Sequence, residues 1–125
     1  MKLTYENERW VANVDYGQLN ISRKEKTGYR PYELFVSAVA GCLGEMLIHV
    51  LRKKRIPYQE LIIHSNTTRE GAANQITHIH LLIIMKNIDV SDEQMKQVVQ
   101  LAMKHCSMVQ SVKGSIDITT SLERL

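Results

Sequence analysis

Aromatic side chains are scarce, with one Trp, one Phe and five Tyr among 125 residues. That is too few for a base-stacking platform interleaved with basic residues. An excess of charge of one sign is missing too. Sixteen Lys and Arg against thirteen Asp and Glu leave a formal net charge of +3. The densest basic cluster, Arg52-Lys53-Lys54-Arg55, falls where a helix should end. Cations there complement the carbonyl end of the helix dipole, so the cluster reads as a cap, and no nucleic-acid partner is expected. There is no Gly-rich phosphate loop, no G-x-S-x-G and no EF-hand pattern. The opening Met1-Lys2-Leu3-Thr4-Tyr5-Glu6 turns polar before an apolar stretch develops, unlike a secretory h-region. Leu34 to Leu51 is about as long as a membrane span, but it holds Glu45, His49, Gly41 and Gly44, which a soluble core helix tolerates better than lipid does. The expectation is a cytoplasmic protein with no membrane partner. Two cysteines in that compartment are free thiols, metal ligands or a redox pair, not a permanent staple.

Length and ordinary globular composition predict one domain, residues 1–125, with no repeat, linker or low-complexity tract. Lys2 to Val14 has short β-type stretches, and Leu19-Asn20-Ile21-Ser22 alternates after Asp15-Tyr16-Gly17, predicting a hairpin turning near Gly17. Arg23 to Arg30 reads as a loop. Pro31 then opens a long helix, where its missing N–H costs nothing, and the helix stops near Lys54, before Pro57. The helix is apolar or small almost all round, from Leu34 and Phe35 to Val50 and Leu51. A chain of this size has little else to cover it, so a second subunit is expected. Tyr58–Arg69 and Ile76–Lys86 read as paired strands, the second with Ile79, Leu81, Ile83 and Met85 on one face. Ser91-Asp92-Glu93-Gln94 is a capping box opening a second helix. A last strand spans Gly114 to Leu122. The order β-β-α-β-β-α-β, with connections compatible with antiparallel pairing, predicts an α+β fold.

Cys42 lies in the middle of the long helix, beside a polar stripe of Glu33, Ser37, Gly41, Glu45, His49 and Arg52. A mid-helix cysteine often only fills space. The stripe, however, must meet water, a cavity or polar groups, because burying it bare is costly. His49 is two turns further on, ~10 Å at 1.5 Å per residue, too far to deprotonate Cys42 directly. Cys106 sits in Lys104-His105-Cys106-Ser107, and a new helical turn opening at Ser107 would expose N–H groups able to stabilise a thiolate. Cys42, His49, His105 and Cys106 have the chemistry of a zinc set but not the spacing, since no C-x-x-C or H-x-x-x-H occurs. His78-Ile79-His80 lacks a third ligand and reads as exposed strand. No metal site is expected.

The run Pro31-Tyr32-Glu33-Leu34-Phe35-Val36-Ser37-Ala38-Val39-Ala40-Gly41-Cys42 resembles the first motif of the OsmC/Ohr family. His105-Cys106-Ser107-Met108-Val109, followed by Val112-Lys113-Gly114, resembles its second. The resemblance covers essentially the whole chain. It implies an α+β fold in which long central helices are wrapped by antiparallel sheet in an intertwined homodimer, with active sites at the subunit interface. It also implies reduction of organic hydroperoxides by a cysteine pair, Cys42 peroxidatic and Cys106 resolving, with no bound cofactor. An external dithiol, of dihydrolipoyl type, would reset the pair.

Three positions depart from the family pattern. The hydroperoxide-reductase branches place an acidic residue directly after the proline; here Tyr32 stands there and Glu33 follows, a rotation of about 100° along the helix. The arginine that activates the thiol matches Arg9 after a shift of about one residue, with Arg30 as the fallback. Ser107 replaces the usual proline after the second cysteine, and either suits a helix start. The alternatives are an OsmC-fold dimer that binds a small apolar ligand or senses oxidants without turnover, and a zinc-stabilised dimer.

Overall fold

The computed structural model describes all of residues 1–125. The chain divides into two compact units, Met1–Ser37 and Ala38–Leu125. The first holds a three-stranded antiparallel sheet in the order β1 (Leu3–Glu6), β2 (Arg9–Asn13), β3 (Gln18–Ile21). The β-rich start therefore forms two strands before the expected hairpin. Asn7 and Glu8 turn between them with φ of 51° and 64°, the sign pattern of the two-residue type I′ turn whose twist suits a hairpin. Glu8 is held there at both ends. Its carbonyl accepts from Ser22 Oγ at 3.1 Å and its carboxylate pairs with Lys24. The second turn closes through reciprocal 3.0 Å bonds between the backbones of Val14 and Gly17, as the sequence predicts. Gly28 is required by close approach, since a Cβ would lie 2.9 Å from the Asn20 oxygen and the Ser22 nitrogen.

Helix α1 (Pro31–Lys53) starts at the predicted proline and ends one residue short of prediction. The predicted polar stripe is exposed along its length. In the second unit, Leu43, Leu47 and Leu51 of α1 are fully buried. So are Ile79, Leu81, Ile83 and Met85, the predicted inner face of β5 (Gln75–Lys86). Each such side chain stabilises the fold by about 1.5–3 kcal/mol. β4 (Glu60–Glu70) pairs antiparallel with β5 from Glu60↔Lys86 to Glu70↔Gln75, with a bulge at Thr68/Arg69. Met95, Val98, Val99 and Ala102 face the same core from α2 (Asp92–His105), which begins in the expected capping box.

A short helix, α3 (Ser107–Ser111), follows α2 directly and begins where the sequence places a new helical turn. One feature differs from the sequence reading: β6 (Asp117–Arg124) runs parallel to β5, so the sheet β4-β5-β6 is mixed and not antiparallel throughout. The reason is the connection: residues 87–116 carry the chain through α2 and α3 back to the starting end of β5, the long crossover that a parallel pair needs. Arg124 ties the end of β6 to that crossover, donating to the Ile88 carbonyl at 2.8 Å and to Asp92 Oδ1 at 3.0 Å.

Candidate active site

Within the second unit, α1 presents Cys42 to the start of α3. Cys106 occupies the junction at which α2 ends and α3 begins, with extended backbone (φ −76°, ψ 111°) and no side-chain hydrogen bond capping the new helix. The first amides of any helix lack intrahelical acceptors. At α3 those amides face sulfur. The Met108 amide is the main influence lowering the Cys42 pKa, opposed by partial burial and assisted by the Cys106 thiol and by the hydroxyl and amide of Ser107. Ser107 Oγ lies 3.7 Å from Cys42 Sγ.

Cys106 moves the other way. Burial pushes its thiol up, and the Val109 and Met108 amides only partly offset this. The neighbouring Cys42 raises it further, both by hydrogen bonding and by its charge. Both cysteines are free; Cys42 is half-buried and Cys106 fully buried. The site thus combines one reachable sulfur disposed to ionise with one enclosed sulfur disposed to stay protonated, each near enough to alter the other's ionisation. The expected turn at Ser107 exists, and the thiolate its amides favour is that of Cys42.

The charged residues of the first unit are arranged differently. Glu33 pairs with Arg30 at 3.8 Å, one helical turn apart and exposed on both sides. Arg9, at the start of β2, makes no ion pair with Glu33, and its Nε is buried without a hydrogen-bond partner. Of the two arginines considered, the fallback is therefore the one that meets Glu33.

His49 and His105 are both exposed. No group of three or more His, Cys, Asp or Glu side chains is gathered as a metal site. His78 and His80 correct the expectation of exposed strand residues. They are half-buried and bond across the parallel pair: His78 Nε2 to Thr119 Oγ1 at 2.6 Å, His80 Nδ1 to the same hydroxyl at 2.7 Å, and His80 Nε2 to Ser121 Oγ at 2.9 Å. A cavity of about 960 Å³ opens in the second unit among Met103, Lys104, Val109, Lys113 and Ile116, and neither cysteine lines it.

Sequence reasoning missed Ser107 as a partner of Cys42, treating it only as a tolerable helix start. A hydroxyl directly after the second cysteine, where the resembling pattern has proline, was the signal available.

A family model described as OsmC-like protein matches residues 24–121. Comparison with curated proteins gives no match. Among solved structures, a hypothetical protein from Aquifex aeolicus VF5 superposes with a TM-score of 0.87 at 23% identity, covering 99% of this chain and 93% of that one. An OsmC-like protein from Mycoplasma pneumoniae gives 0.85 at 17% identity, with 99% and 96% covered. The organic hydroperoxide resistance protein OhrB of Bacillus subtilis gives 0.67 at 20% identity, with 98% and 96% covered. At these identities the likeness is one of fold.

Proposed function

The chain belongs to the OsmC-like protein family, and on that footing we propose that it reduces organic hydroperoxides through the thiols of Cys42 and Cys106. The observation that carries this reading is the opposed disposition of the two sulfurs around α3. Structural relatives named for organic hydroperoxide resistance are consistent with it. Thiolate is the attacking species, and an unassisted thiol, with its pKa near about 8.5, supplies only a few per cent of it at neutrality. Donors aimed at Cys42 enlarge that fraction.

The Cys42 thiolate attacks the terminal oxygen of ROOH. The sulfur–oxygen bond forms, the O–O bond breaks, and the departing alkoxide takes a proton from water to leave as ROH. Sulfur is oxidised to sulfenic acid and the peroxide is reduced. The Cys106 thiol then attacks that sulfur, forming the disulfide and releasing water, which forestalls overoxidation. An external dithiol returns both sulfurs to thiols by exchange, and its own disulfide carries away the electron deficit. Oxidation of Cys42 removes the negative charge that raises Cys106, so the second thiol becomes easier to ionise when it is needed.

The same reading places a homodimer around α1. Along this helix Phe35 is exposed and Leu34, Met46 and Ile48 are only half-buried, so a second copy would cover apolar surface that one chain leaves open. In this proposal the active sites lie at the subunit interface, and Arg9 is the arginine assigned to assist the thiolate. Glu33, paired with Arg30, has a supporting part.

Free-thiol titration after one equivalent of cumene hydroperoxide is expected to show loss of both thiols, with recovery on adding dihydrolipoamide. Two thiols left untouched would overturn the peroxidase reading. That result would favour binding of a small ligand without turnover, for which the cavity beside α3 is the structural candidate.

A further inference from the structure

We infer that Ser107 is a catalytic residue: its hydroxyl donates a hydrogen bond to the Cys42 thiolate and helps hold the charge on the attacking sulfur. The inference rests on the proposed peroxidase reading for its purpose, but not for its measurement. Ser107 Oγ stands 3.7 Å from Cys42 Sγ and makes no other hydrogen bond in the chain. A neutral thiol could be donor or acceptor in that contact. A thiolate has no hydrogen left, so after ionisation the hydroxyl is the only possible donor. Hydrogen bonds to a charged acceptor are roughly twice as strong as neutral ones, so the contact favours the ionised form.

Two further observations separate this from a capping role. Ser107 is the first residue of α3 and not its cap; the cap position belongs to Cys106. The side chain is exposed and is not needed to fill the core. The Cys106 backbone, at φ −76° and ψ 111°, would also accept a following proline without strain, since that is the region a residue before proline adopts. Proline at this position would leave α3 able to form but would remove both the hydroxyl and the amide directed at Cys42. Serine keeps two donors in its place.

The test follows Cys42 ionisation in the reduced protein without any peroxide, by the pH dependence of its alkylation by iodoacetamide. Ser107→Ala should raise the midpoint by about one pH unit, equivalent to roughly tenfold less thiolate at neutral pH. Ser107→Thr, which keeps the hydroxyl, should restore the parent midpoint, and Ser107→Pro should exceed the alanine shift. A structural role would lower thermal stability without this graded order of midpoints. An alanine midpoint equal to the parent's, in protein of parent thermal stability, overturns the inference; should the alanine variant not fold, Ser107→Gly gives the same decision. A parent protein that ionises early yet consumes no cumene hydroperoxide would sink the peroxidase reading and leave the role of Ser107 standing.

Discussion

Cys42 and Cys106 carry the same side chain and draw on the same five-residue helix, yet their pKa values move in opposite directions. Cys42 meets α3 from outside, from a different element, and is half-buried where the Met108 amide and the Ser107 donors converge. Cys106 belongs to the chain that forms α3 and is enclosed by it, so loss of water outweighs the amides it gains. Around α3 the amides prevail for the thiol brought to the helix start, and burial prevails for the one built into it.

Deleting each sulfur in turn should have the largest effect. Cys42→Ser is expected to abolish consumption of cumene hydroperoxide. Cys106→Ser should support a single turnover and then accumulate oxidised Cys42, visible as a mass increase of one or more oxygens. Equal steady turnover in both variants would refute the division of roles.

A smaller effect lies in the ionisation of the two thiols. Across a pH series of alkylation, Cys42 should react with a midpoint below the ordinary thiol range near about 8.5, and Cys106 with a midpoint above it. In Cys42→Ser the Cys106 midpoint should fall, because the neighbouring charge is gone, yet remain raised by burial. The stability signs follow from the same directions. Cys42, depressed in the folded state, contributes stability above its unfolded pKa and loses it as pH falls through the folded value. Cys106, raised, contributes below its unfolded pKa and loses it as pH climbs through the folded value. Urea midpoints of the two single variants across that alkaline range should therefore diverge.

The smallest effects belong to the first unit. Glu33→Gln breaks an exposed ion pair and should change stability by no more than about 0.5 kcal/mol in thermal unfolding. Arg9→Ala should slow the reaction of Cys42 with peroxide while preserving the fold; an unchanged rate would remove Arg9 from the mechanism and leave activation to α3.

Much of the fold was legible where structure is local. Pro31 and the run of apolar residues marked α1, Ser91 and Gln94 marked the start of α2, and alternation marked the inner face of β5. The direction of β6 was not legible, because alternation fixes which side chains share a face and says nothing about which neighbour a strand pairs with, or in which sense. The half-burial of His78 and His80 follows from that same pairing, since Thr119 and Ser121 reach them only across the parallel ladder. At the site, the cysteines were legible as residue types within two motifs. Their unequal chemistry was not, because it arises from the approach of α1 to amides more than sixty residues away in the chain.

The Met108 amide hydrogen favours the ionised form of both sulfurs, and the charge on Cys42 raises Cys106, so the reduced protein disfavours a doubly ionised pair. A sulfur–sulfur bond would leave no anion for that hydrogen to meet. The oxidation state of two side chains would thereby be recorded in the main chain, as a change in the shielding and exchange of one backbone proton.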